Sequence, residues 1–302
     1  MQSLNSLKSA NIRKTWFLLL TFFSVILAVG YVLSIVLNAP GIMVASGFFS
    51  IFSSVGSYWF SDKIALSMSG AKPVSKSTHG ELYSMVDNLA IAAGLPTPRI
   101  YVIQDSALNA FATGRNPENG VIAFTQGILD RLDPEEIRGV AAHEISHIAN
   151  RDMLIGTIAV VLASAIAMIG RFMRSGMGGE MNRIGDNRGG NPIRAIVAVG
   201  LLLLAPILAS LLRMAVSRKR EYLADASGAM LTGDPEGLAS ALEKIGGSPK
   251  NLDRASEMTA HLFISNPFKN TKVTNFLSTH PPIEHRVELL RNADKDAASP
   301  GA

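Results

Sequence analysis

Four long stretches without a charged residue, 16–37, 41–60, 153–170 and 195–212, decide what this chain can fold into. Each is close to the roughly 20 residues that an α-helix needs to cross a hydrocarbon layer about 30 Å thick. None carries the polar face of an amphipathic surface helix. A mean hydropathy of +0.25 with 17% charged residues excludes an ordinary soluble domain. The first two stretches are expected to form a membrane hairpin and the last two a second one. The chain then divides into an N-terminal tail with two spans (1–61), a first soluble part (62–152), a second hairpin (153–212) and a second soluble part (213–302).

Lys8, Arg13 and Lys14 precede the first stretch with no acidic residue among them, which holds the N-terminus in the cytoplasm by the positive-inside rule. No small-residue cleavage pattern follows this stretch, so it is expected to be a retained anchor. The connection 171–192 opposes the orientation rule, because Arg171, Arg174, Arg183 and Arg188 outnumber Glu180 and Asp186. Four spans are the adopted reading. The alternative is a second hairpin that enters without fully crossing, with Pro206 marking an irregular helix.

A net charge of +4 is too small to argue for nucleic acid, and no aromatic-interleaved basic segment suggests a face for it. The surplus fits juxtamembrane Lys and Arg beside anionic lipid. Cysteine is absent, which excludes a disulfide framework and a Cys-type zinc knuckle.

Between the hairpins the chain reads as α+β. "GELYSMVDNLAIAAGLP" places Leu82, Met85, Val86, Leu89 and Ala93 at helical spacing and closes on Gly94 and Pro96. "PRIYVIQD", "NAFATG" and "GVIAFTQGIL" are β-prone runs that suggest a small meander. A helix follows in "DPEEIRGVAAHEISHIAN", with Asp133 as N-cap, Pro134 at the first position and Glu135 and Glu136 against the positive end of the macrodipole. After the second hairpin, "EYLADASGAML", "DPEGLASALEKI" and the stretch after Pro282 read as helices, and the tail "DKDAASPGA" as disordered.

The chemistry lies in "HEISH". On a helix His143 and His147 are one turn apart on one face, so both imidazoles can reach one cation. Glu144 is turned by about 100°, where it can contact a metal-bound water without being a ligand. Chance matches to this pattern occur in fewer than about one in a hundred chains of ordinary composition, yet two histidines packed at a helix end are the plain alternative. A third ligand has to come from elsewhere, since "NRDMLIG" lacks the further histidine of a metzincin. "KREYLADASGA" offers Glu221, which could ligate, and Asp225 one turn later, which could accept the free N–H of a ligating histidine. An ordinary solvated acidic face is the competing reading of this pair.

"LNAFATG", "AAHEISHIANRDML", "SRKREYLADASGA" and "THPPIEHR", in this order along a chain with two pairs of apolar runs, resemble the HtpX family of membrane-bound zinc metalloproteases, relatives of the CAAX prenyl endopeptidases. The resemblance spans essentially the whole chain. It implies an α-helical integral membrane protein, mainly helical with a small β-sheet, carrying a cytosolic α+β gluzincin-like metallopeptidase domain. It implies one Zn2+ per chain on His143, His147 and Glu221, with Glu144 as catalytic base. It implies further a multi-pass protein of the bacterial inner membrane whose site faces the cytoplasm, and proteolytic quality control, with misfolded or damaged membrane proteins as substrates.

Asn109 could lie on a strand that pairs with an extended substrate, or simply start a turn. His280 could donate to the tetrahedral oxyanion, as the resemblance suggests. Arg286 could pair with a site carboxylate, but a surface pair with Glu284 or Glu288 is the expectation. His79, His261 and His285 are assigned no function. Two other readings stand beside the quality-control protease: a CAAX-type enzyme for prenylated peptides, and a membrane metal sensor or transporter that uses the same ligands without hydrolysis. Ligands at the ends of apolar runs, with an extra carboxylate beside them, favour catalysis over transport.

Overall fold

The computed structural model describes residues 4–36, 38–162, 164, 166, 218–254, 259–268 and 281–298. The apolar run 195–212, the connection 171–192, Pro206 and His280 lie outside the described residues, so the second hairpin and the oxyanion role of His280 are not addressed by them.

Helices α1 (Leu4–Val36) and α2 (Gly41–Ser69) form the expected hairpin. Within them Ser9–Ile35 has a mean hydropathy of 2.4 and Gly41–Ser69 of 1.3, and both are long enough to cross a bilayer. Three hydroxyls of α2 are satisfied in these apolar surroundings by donating to their own helix, Ser46 to Ile42 O (2.8 Å), Ser50 to Gly47 O (2.9 Å) and Ser57 to Ser54 O (2.8 Å). Asp62 does not end α2, which runs on to Ser69 and packs Leu66 against Val121 and Ala123 of the sheet.

Four strands, β1 (Lys72–Pro73), β2 (Arg99–Ile103), β3 (Ala110–Thr113) and β4 (Val121–Thr125), make one sheet in the order β1-β2-β4-β3. The expected meander is therefore corrected. β2 pairs parallel with β4, and β3 pairs antiparallel with β4 at one edge. The physical reason is in "VIAFT": all five residues are buried, as they must be in a strand covered on both faces, so β4 takes the centre. Ile122 and Phe124 face the main core, while Val121 and Ala123 face the end of α2.

Helices α3 (Gly80–Ala92), the short α4 (Gln126–Arg131) and α5 (Pro134–Asn150) follow, and the chain then turns by 81° into α6 (Met153–Leu162). Arg151, in the left-handed region at φ 56°, makes that turn. Leu154, Ile155, Ile158, Ala159 and Leu162 of α6 pack with Leu18, Leu19, Phe22 and Ile26 of α1. Asn11 Nδ2 donates to Asn150 O (3.1 Å), which ties the start of the first span to the end of α5.

The last three helices are α7 (Arg218–Thr232), α8 (Pro235–Gly247) and α9 (Ile283–Ala298). Asp234 caps α8, accepting from Gly237 N–H (3.1 Å), as the Asp-Pro start signal requires. The tail expected to be disordered continues α9 as far as Ala298, because no residue before Pro300 opposes a helix. Two glycines set the spacing around α5. A Cβ on Gly139 would lie 2.6 Å from Leu238 N of α8, and one on Gly228 of α7 would lie 3.0 Å from His143 N.

Gly139→Ala should therefore push α8 away from α5 and lower stability by about 1–3 kcal/mol. A lowered thermal unfolding midpoint of the detergent-purified protein checks this, and an unchanged midpoint would show that the two helices have room to spare.

Candidate active site

α5 is pinned at its start. Asp133 N–H donates to Glu136 Oε2 (2.8 Å), and Glu136 also accepts from Ser240 Oγ (2.6 Å) and Lys244 Nζ (2.8 Å) of α8. With one end so held, residues 139–146 are buried throughout, and His143, Glu144 and His147 line a small cavity of about 50 Å3 beside Glu221 and His261.

The small residues Ala224, Gly228 and Ala229 let α7 lie close against α5, which turns Glu221 and Asp225 toward the histidines. Asp225 Oδ1 sits 2.9 Å from His143 Nδ1, a short contact poorly aligned as a hydrogen bond. His147 Nδ1 bonds Asp152 Oδ1 at 3.1 Å. Both rings thus give Nδ1 to a carboxylate and turn Nε2 into the cavity, where the two Nε2 atoms are 3.1 Å apart. Two lone pairs at that distance repel, so a proton or a metal ion has to lie between them.

Glu221 completes a triangle, 3.9 Å from His143 Nε2 and 3.8 Å from His147 Nε2. One donor atom from each of the three residues lies within 4.8 Å of the others. Tetrahedral ligands about 2 Å from zinc lie roughly 3.3 Å from one another. The nitrogens already meet that spacing, and each lies about half an ångström beyond it from its nearer Glu221 oxygen, Oε2 for His143 and Oε1 for His147.

The electrostatics agree. Burial depresses the His143 imidazole below its ordinary value. Burial works against the charge on His147 as well, but Asp152, Glu221 and Glu144 outweigh it and raise the pKa to about 10. Burial also pushes Glu144 up to about 8, with His147 pulling the other way. The site concentrates negative charge around two imidazoles and favours a cation between them.

Arg286 corrects the expectation of a surface ion pair. Its side chain is 0% exposed, and it holds Asp225 bidentately through Nε (2.8 Å) and Nη2 (2.6 Å) while Nη1 donates to Ile264 O (3.0 Å). Burial alone would raise Asp225, but the guanidinium holds its pKa down at about 2. Asp225 is thereby fixed as an anion facing His143.

Asn109 stands just ahead of β3 and is buried. Its Nδ2 donates to Ser265 O (2.9 Å) and its Oδ1 accepts from Ser265 N–H (3.3 Å). Ile264 N–H donates to Ala110 O (2.9 Å), and Phe111 bridges Phe263. The partner along this edge is therefore the chain's own 263–265 segment. His261 belongs to that segment, lines the cavity and contacts Gly156 O through Nε2 (3.1 Å). His79 occupies the N-cap position of α3 with its ring against Thr78 Oγ1 (3.1 Å), making no cap bond, and His285 packs edge-on to Tyr222. Sequence reasoning missed Asp152 and His261. Asp152, five residues after His147 and past the turn at Arg151, left a readable signal. His261 left none, because it sits in a connection without periodicity or motif.

Residues 76–294 match peptidase family M48. The chain belongs to that family, in its HtpX branch. Among the relatives, a "Protease HtpX homolog" of Desulforapulum autotrophicum is 44% identical over 92% of this chain and 89% of its own. Homologues of the same name from Syntrophobacter fumaroxidans (46%, covering 84% of this chain and 90% of its own) and Pyrococcus furiosus (44%, 91% and 93%) are similarly close. The crystal structure of S. mikatae Ste24p superposes with a TM-score of 0.47 at 19% identity, over 95% of this chain and 65% of that one. Membership of M48 makes the chain a metallopeptidase that sits in a membrane and acts on polypeptides. The family implies a metal cofactor, and the donor set of His143, His147 and Glu221 fits one: two imidazole nitrogens and a carboxylate suit zinc.

Replacing Arg286 with Met should leave Asp225 as an uncompensated buried charge, at a cost of about 3–5 kcal/mol. In protein that still folds, zinc affinity should fall about 10–100-fold. Thermal unfolding and zinc titration of the purified variant check both, and Arg286→Lys should lie between it and wild type because it keeps the charge but loses the fork.

Proposed function

We propose that this chain is a membrane-anchored zinc endopeptidase of proteolytic quality control, hydrolysing misfolded or damaged membrane polypeptides at the cytoplasmic face. The observation that carries the chemistry is the pair of Nε2 atoms facing each other at 3.1 Å, with both Nδ1 atoms turned to carboxylates and Glu221 within 4 Å of each. His143, His147 and Glu221 would hold the ion. Zinc bound there supplies a Lewis acid and lowers the pKa of water to near 7.

The other tasks fall to the chain's own groups. Glu144 is buried and its pKa is pushed up to about 8, so its carboxylate is more basic than an exposed one and can take the proton of an attacking water. The same carboxyl group can then return that proton to the amine that leaves. Asp225 and Asp152 hold the rings in the tautomer that leaves Nε2 free to ligate.

Two observations support the side and the membrane-anchored protease. Asn11 ties the N-terminal end of the first span to α5, so the site shares a side with Lys8, Arg13 and Lys14, which the positive-inside rule keeps in the cytoplasm. The relatives named as HtpX protease homologues align over nearly the whole chain, spans included.

Glu144→Gln should keep zinc and lose about 10²–10⁴-fold in cleavage of an unfolded membrane-protein substrate. Glu221→Ala should purify with markedly less than its full zinc. Normal turnover in the first variant would remove Glu144 from its role, and a full zinc complement in the second would remove Glu221 from the ligand set.

A further inference from the structure

At the site-proximal end of the hairpin the rings of Trp16 and Tyr58 stack with centroids 6.4 Å apart, and Trp59 meets Tyr58 edge-on at 5.6 Å. Aromatic side chains collect where a span leaves the lipid. The charges agree with that level: Arg13 and Lys14 of α1 come just before Trp16, and Asp62 and Lys63 of α2 come just after Phe60. This ring cluster marks the membrane boundary.

A cleft of about 450 Å3 opens at this boundary, lined by Trp59, Phe60, Lys63, Arg99 and Arg115 with Asp62. Its volume is that of a small-molecule site. Three cations line it against one acid, and the acid is committed to Arg99 (Nη2 to Oδ2, 2.6 Å). Arg115 lies over the Trp59 ring at 4.5 Å and Lys63 over Phe60 at 5.5 Å, so both cations are held at the wall by aromatic faces. Below the cleft the outer face of α2 is an unbroken apolar stripe: Val44, Phe48, Ile51, Phe52 and Val55, each 51–72% exposed, lead up to Trp59. A basic recess directly above an apolar stripe has the two halves of a phospholipid.

We infer that this cleft binds the phosphodiester headgroup of an anionic membrane lipid, with the acyl chains lying along the α2 stripe. The stripe is what selects a lipid over a free phosphate, since a soluble anion has no use for it. The site is separate from the histidine pair and does not depend on the proposed catalysis.

The two tryptophans of the chain give the test a reporter. In full-length Trp16→Phe protein, Trp59 is the sole tryptophan and is excited selectively over the tyrosines. The protein is placed in phosphatidylcholine vesicles containing a small fraction of brominated phosphatidylglycerol, or the same fraction of brominated phosphatidylcholine. Quenching of Trp59 should favour the glycerol lipid, and Lys63→Gln/Arg115→Gln should lower that preference at least about fivefold. Arg13→Gln/Lys14→Gln removes the same charge at the same level outside the cleft and should leave the preference standing. Equal quenching by the two lipids, equal loss in both double variants, or abolition of the preference by millimolar inorganic phosphate at constant ionic strength would each overturn the assignment.

Discussion

The structure depends on a charge imbalance. Glu144, Asp152, Glu221 and Asp225 converge on two imidazoles, and the buried guanidinium of Arg286 opposes them, with Arg220 also at the cavity wall. Carboxylates gathered in a desolvated space are untenable as anions unless positive charge is supplied among them. Arg286 neutralises Asp225, and the remaining need falls at the Nε2 pair. What makes the site receptive to a cation is thus the whole shell, and the three facing donor atoms are its innermost part.

Bringing that shell together is a packing problem. The ligands come from helices separated by some seventy residues of chain, and the histidines can meet Glu221 only if α5 and α7 approach closely. Ala224, Gly228 and Ala229 on α7 allow it, and Gly139 lets α8 brace the other flank of α5. The Glu136 bonds to Ser240 and Lys244 then fix the start of α5 against α8. Stability and site geometry are therefore the same set of contacts, and a loss of packing here is also a loss of ligand placement.

Much of this was legible in the sequence, for identifiable reasons. The first two spans were legible because charge is absent over 16–37 and 41–60, and α5 and α8 because Asp-Pro-Glu starts each one. His143, Glu144 and His147 were readable as a local pattern, and Glu221 with Asp225 as a pair one turn apart. The strand order was not, since local propensity says that Val121–Thr125 is a strand but only its burial on both faces says that it is central. Arg286 was misjudged for a related reason. Nearby Glu284 and Glu288 are the obvious partners along the chain, while its true partner, Asp225, is 61 residues away.

The bond from Asn11 to Asn150 governs reach. Asn150 ends the helix that carries the histidines, and Asn11 is five residues from Trp16, about 7.5 Å along a helix. The hydrolytic groups are consequently moored at a set height above the lipid and have no tether with which to search the aqueous phase. On the function proposed above, a polypeptide would have to present its scissile bond close to the lipid surface, which would make depth, ahead of side-chain identity, the first criterion for being cut.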